Sequence, residues 1–161
     1  MELSQDYREW LACLTCTRTD FVVVGGYALA HHGCPRFTGD IDVLVHATAE
    51  NAERVVEALR QFGFGSLGLV ASDFAREGSM VQLGYAPQRI DILTRIDGLT
   101  WEEASREPSY AEIGGLRVPF ISREALIRNK QATGRLKDLA DVEALEGRAG
   151  RIGRPEDPRR A

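Results

Sequence analysis

Asp40-Ile41-Asp42-Val43 sets two carboxylates two residues apart in an apolar frame. Alternate residues of a strand point to the same side, so Asp40 and Asp42 share one face while Ile41 and Val43 enter a core. Carboxylates this close repel one another and raise their own pKa values, a conflict that a divalent cation relieves. Hard oxygen donors favour magnesium or manganese over zinc. On its own, such a pair is also what a solvated strand edge looks like.

Two further features bear on the pair. Phe21-Val22-Val23-Val24 reads as a short buried strand that stops at Gly25-Gly26 and opens into a helix. Glycines there let backbone N–H groups approach a phosphate at the helix N-terminus, although an ordinary tight turn has the same sequence. In Arg89-Ile90-Asp91-Ile92-Leu93 one carboxylate interrupts an apolar strand. Burying it unpaired is costly, so Asp91 requires a metal or a salt bridge, for which Arg89 and Arg95 are the near candidates. Near the C-terminus, Leu126 and Lys130 share a helix face, as do Asp138 and Asp141. A solvated surface with a Lys137–Asp141 pair is the plain reading of those charges.

Taken together, Val24-Gly25-Gly26, the spacer 27–39, Asp40-Ile41-Asp42-Val43 and the later Asp91 resemble the DNA polymerase β-like nucleotidyltransferase superfamily. The fuller text, Gly25-Gly26-Tyr27-Ala28-Leu29-Ala30-His31-His32-Gly33 with Arg36, Thr38 and the Asp pair, is similar to a small bacterial branch related to abortive-infection-type nucleotidyltransferase toxins. Lys130, Arg135, Lys137, Asp138 and Asp141 resemble that branch's helical Lys, Arg and Asp-x-x-Asp motif, so the likeness covers residues 20–146.

The resemblance implies a metal-dependent enzyme that moves a nucleoside monophosphate from a nucleoside triphosphate to a hydroxyl, releasing pyrophosphate. Asp40, Asp42 and Asp91 would be the catalytic and metal-binding residues for two Mg2+ (or Mn2+) ions, with Asp91 also helping to deprotonate the acceptor. Gly25 and Gly26 would cradle the phosphates. Lys130, with Arg36 or Arg135, would neutralise the leaving pyrophosphate. The acceptor stays open between tRNA, a protein and a small molecule, as does a toxin or antitoxin partner. Roles for His31, His32, Lys137, Asp138 and Asp141 also stay open. The contrasting reading is a catalytically silent nucleotide-binding or partner-binding module, against which the intact carboxylate triad speaks. A dinucleotide-binding turn fails because GxGxxG is absent.

The elements that must position these residues follow from periodicity. The pattern predicts helices over 3–16, 27–32 and 48–62, with Tyr7, Trp10, Leu11 and Leu14 on the buried face of the first. Strands are predicted at 21–24, 40–46, 80–84, 89–93 and 116–121, the third and fourth joined hairpin-fashion through 85–88. A helix from a Ser122 cap through Lys130 breaks at Gly134, and another spans 135–145. Residues 66–78 read as a variable segment near the site. The sum is an α/β (α+β) domain over 1–147, a small mixed sheet flanked by helices with C-terminal helices, followed by a flexible basic tail over 148–161.

Composition is compatible with one domain: 161 residues, 43% of them hydrophobic, and a net charge of -4 that gives no global pull toward a polyanion. Arg148, Arg151, Arg154, Arg159 and Arg160 in the tail could still form a local basic patch. Cys13-x2-Cys16 lacks the partners of a zinc site, which leaves two small buried residues of a reduced, cytoplasmic protein. No apolar run approaches the ~20 residues that cross a bilayer, and the N-terminus lacks a signal-peptide layout.

Overall fold

The computed structural model describes residues 2–152. Helix α1 (Gln5–Cys16) starts where the Ser4 hydroxyl accepts from the Tyr7 N–H, and its buried stripe is Tyr7, Trp10, Leu11 and Leu14, as the periodicity predicts. Strand β1 (Phe21–Val24) is buried along its whole length. Helix α2 (Gly25–His31) begins at the glycine pair, two residues earlier than the pattern suggests. Strand β2 (Asp40–Val45) is followed by α3 (Ala49–Phe62), capped by Thr48 at its start and by Gly63 at φ 104° at its end.

Strands β3 (Met80–Leu83) and β4 (Arg89–Leu93) form the predicted antiparallel pair. Two elements have no counterpart in the periodicity: the short helix α4 (Trp101–Ala104) and strand β5 (Ser109–Ile113), which pairs antiparallel with β6 (Leu116–Phe120). Helix α5 (Arg123–Thr133) ends at Gly134 in the left-handed conformation. Helix α6 (Leu136–Ile152) continues past the boundary expected at 147; the remainder of the basic tail, 153–161, lies outside the described residues.

The six strands form one mixed sheet in the order β3-β4-β2-β1-β6-β5. At its centre β2 runs antiparallel to β1 and parallel to β4. Trp10, Ile41, Val43, Val55, Ile92, Phe120 and Leu126 belong to a single buried core, which holds the sheet and helices together through apolar burial. Within it, Asn51 fastens the start of α3 to the sheet: its carboxamide accepts from the Asp20 N–H at 2.7 Å and donates to the Asp20 and His46 carbonyls. No helix among the described residues is long and apolar enough to cross a membrane.

Candidate active site

The register of the central strands assembles the carboxylates. Asp42 lies opposite Val24 on β1 and beside Asp91 on β4, while Asp40 lies beside Arg89. Because side chains alternate, the same pairing that buries Ile41, Val43, Ile90 and Ile92 turns Asp40, Asp42 and Asp91 to one face. Each offers a carboxylate oxygen, and these atoms lie within 4.8 Å of one another. Asp91 is the deepest, at 3% exposure.

The cluster is under electrostatic tension. Burial, then the charges of Asp40 and Asp91, push the Asp42 carboxyl up to about 7, against the opposing pull of Arg89 and Lys130. The neighbours of Asp42 are occupied differently. Thr38 donates its hydroxyl to Asp40 Oδ1 at 2.7 Å. Arg89 donates from Nη2 to Asp40 Oδ2 at 2.6 Å and to Asp91 Oδ2 at 3.0 Å, and from Nε to Asp91 Oδ1 at 2.8 Å. Of the salt-bridge partners considered for Asp91, Arg89 is therefore the one in contact.

Gly25 and Gly26 are small for a reason that sequence could not show. At Gly25, φ is 67° and a Cβ would overlap the Asp42 carboxylate; at Gly26 a Cβ would lie 2.8 Å from Thr38 Oγ1. Close approach of Asp42 and Thr38 thus requires both glycines, whatever they bind.

The C-terminal helices supply a second charged cluster. Lys130, buried on α5, places Nζ 3.1 Å from Asp138 Oδ1 and 2.7 Å from Asp141 Oδ2, both on α6. Thr133 and Arg135 also donate to Asp138. Burial alone would raise the Asp138 pKa, but the donors Thr133, Arg135 and Lys130 bring it below the usual carboxylate range. Arg36, from the loop between α2 and β2, reaches Asp141 with Nε at 3.0 Å. The expected solvated Lys137–Asp141 pair is corrected by this geometry: Asp138 and Asp141 are buried and face Lys130, whose charge, with the donors Thr133, Arg135 and Arg36, offsets the cost of burying both carboxylates.

All eight sequence-predicted site residues, Gly25, Gly26, Arg36, Asp40, Asp42, Asp91, Lys130 and Arg135, line one cleft of about 750 Å³. Asp138 and Lys137 line it too, together with the exposed Phe37. His31 and His32 do not. His31 is 2.7 Å from the Ser109 hydroxyl and stacks on Phe120, and His32 is 2.8 Å from the Ile121 carbonyl oxygen, so both are packed imidazoles. Residues 66–78 do not line the cleft either; their 3₁₀ turns at 65–67 and 71–73 belong with α3. Cys13 is half-buried and Cys16 is exposed, which corrects the expectation that both are buried; they are free thiols, as is Cys34. Periodicity places Tyr7 in the core but does not show its polar role: its hydroxyl, shared between the backbone carbonyls of Arg89 at 3.1 Å and Pro87 at 3.3 Å, ties α1 to the start of β4.

A mixed sheet that turns three carboxylates toward a glycine-pair turn, with Lys130, Arg135 and Lys137 of the C-terminal helical segment lining the same cleft, is the architecture of nucleotidyltransferases. Solved structures share the fold. A protein of Thermotoga maritima assigned as a nucleotidyltransferase is 23% identical, with a TM-score of 0.53 over 90% of this chain and 91% of that one. The antibiotic-resistance factor ANT(2″)-Ia, crystallised with adenylyl-2″-tobramycin, is 16% identical, with a TM-score of 0.54 over 91% and 88%. An antigenic nucleotidyltransferase-like protein of Paracoccidioides brasiliensis is 19% identical, with a TM-score of 0.54 over 97% and 81%. No curated protein matches the sequence. The family profile "Nucleotidyl transferase AbiEii toxin, Type IV TA system" matches residues 16–150, and the chain belongs to that family of nucleotidyltransferase enzymes.

Proposed function

We propose that the protein transfers a nucleoside monophosphate from a nucleoside triphosphate to a hydroxyl acceptor, with a divalent metal held by Asp40, Asp42 and Asp91. The observation that carries this reading is the convergence of those three carboxylates, within 4.8 Å, at the Gly25-Gly26 turn. The donor set fits magnesium or manganese: all its atoms are hard oxygens, and the upward push on Asp42 is the tension that a bound cation removes. When bound, two such ions neutralise phosphate charge and polarise the reacting oxygens.

The protein's own residues do the rest. Gly25 and Gly26 leave backbone room for the triphosphate, and Arg36, Lys130 and Arg135, which also line the cleft, leave a positive surplus over the Asp138 and Asp141 they pair with. Most of the Arg135 side chain is solvent-exposed, so its guanidinium can take up a phosphate while keeping Asp138. The acceptor oxygen attacks the α-phosphorus, the bond to the bridging oxygen of the β-phosphate breaks, pyrophosphate departs, and the hydroxyl proton passes to a carboxylate oxygen of Asp91.

An acceptor of tRNA, a protein side chain or a small molecule fits this chemistry, and the family's description implies an antitoxin that restrains the activity. The test is transfer of α-labelled nucleoside triphosphates with magnesium, offering bulk tRNA, cell lysate and aminoglycosides in parallel, with Asp40→Ala/Asp42→Ala alongside. Label moving to one acceptor class and lost in the variant supports the reading and names the acceptor. No transfer to any acceptor, and no metal-dependent triphosphate binding, would overturn it.

A further inference from the structure

Resting on the metal reading above, we infer that Arg89 is an internal counter-cation of the metal site, a positioning residue that holds Asp40 and Asp91 in the metal-free enzyme and gives way as an ion binds. The guanidinium bridges two strands by three contacts: Nη2 to Asp40 Oδ2 at 2.6 Å, Nη2 to Asp91 Oδ2 at 3.0 Å, and Nε to Asp91 Oδ1 at 2.8 Å. Asp40 and Asp91 are two of the three residues whose oxygens could hold an ion. A cation and a guanidinium donor compete for the same carboxylate lone pairs.

The arrangement follows from register. Arg89 and Asp91 are two apart on β4 and so share a face, and Asp40 is the β2 neighbour of Arg89. Asp42, the third carboxylate, receives no hydrogen bond from Arg89, whose contacts all go to its two neighbours. The Tyr7 hydroxyl donates to the Arg89 carbonyl and fixes the backbone there, while the Arg89 side chain is partly exposed and lines the cleft beside the carboxylates. A guanidinium on Asp40 and Asp91 offsets their mutual repulsion, so an ion that binds them competes with a positive charge already in place.

The geometry makes opposite predictions for competition and for scaffolding. Manganese binding to the purified full chain is measured at pH 8 by the loss of free-ion paramagnetic resonance signal, for wild type, Arg89→Gln, Arg89→Lys and Asp40→Ala/Asp42→Ala. With a competing cation removed, Arg89→Gln binds manganese about tenfold tighter than wild type, the equivalent of losing one charge-assisted contact. Arg89→Lys, which keeps the charge but not the fork, falls between them. The melting temperature without metal falls in Arg89→Gln, and manganese raises it by more than it raises wild type. Equal or weaker manganese binding by a folded Arg89→Gln, or by Arg89→Lys should the glutamine variant not fold, overturns the inference and makes Arg89 a scaffold. Wild type that binds no manganese, like the double variant, overturns the metal reading itself.

Discussion

At the scale of single residues, Asp42 concentrates the electrostatic cost of the site. Its pKa of about 7 lies above the usual carboxylate value of about 3.9. A group whose folded pKa is raised makes the native state bind more protons than the unfolded chain, so stability falls as pH rises from about 4 through about 7. The penalty is complete above that window and absent below it. Asp42→Asn should therefore melt several degrees above wild type in metal-free buffer at pH 8, with the gain shrinking toward pH 4, while nucleotidyl transfer drops by about a thousandfold or more. Thermal melts across pH with chelator present check the first part. A variant no more stable than wild type at pH 8 would show that Asp42 is comfortable as an anion. If Asp42 holds a metal as proposed, the same shift sets a pH dependence: below about pH 7 the ion must expel a proton, so its affinity should rise with pH and level off above it.

Elements decide which of these residues meet, and here sequence is an uneven guide. Asp40 and Asp42 were legible because period-two alternation assigns both to one face of β2, and Gly25-Gly26 because a buried valine run stops there. Arg89's reach to Asp40 was not, since it depends on the parallel register of β2 with β4, which no local pattern encodes. Strand β5 escaped notice because Ser109-Tyr110-Ala111-Glu112-Ile113 is an edge strand with no strongly apolar face, and α4 because four residues under a Thr100–Glu103 capping box carry too little periodicity. The charges of α5 and α6 were visible, but not their burial against each other. That burial yields a prediction: Lys130→Met strands Asp138 and Asp141 with reduced compensation and should cost about 3–5 kcal/mol in urea unfolding, far more than an exposed ion pair. At the β1–α2 junction, Gly25→Ala combines a positive φ with overlap on Asp42 and should cost about 3 kcal/mol by the same measurement. A loss below about 1 kcal/mol in either case would mean that the surrounding backbone relaxes freely.

Across the whole molecule, the cleft belongs to no single segment. Its walls come from the β1–α2 junction, the loop that carries Arg36, strands β2, β3 and β4, and the helices α5 and α6. Arg36 joins the loop to α6 through Asp141, Tyr7 joins α1 to β4, and Lys130 joins α5 to α6, so a ligand in the cleft touches parts that only the complete fold brings together. On the proposed reading a triphosphate with its metal binds the native state and not the open chain, and at a hundred times its dissociation constant such a ligand adds about 2.7 kcal/mol of stability. For a domain of this size that corresponds to a melting shift of about 5–10 °C. Magnesium with a non-hydrolysable triphosphate should produce this shift in wild type as a single transition, because N- and C-terminal walls are stabilised together. Triphosphate without metal should produce little, since Asp40, Asp42 and Asp91 then repel the phosphates instead of receiving them through a cation. In Asp40→Ala/Asp42→Ala the metal-dependent part should vanish while the fold persists, as both side chains lie on the cleft face and outside the apolar core. A full shift in that variant would place the nucleotide somewhere other than the carboxylate cleft.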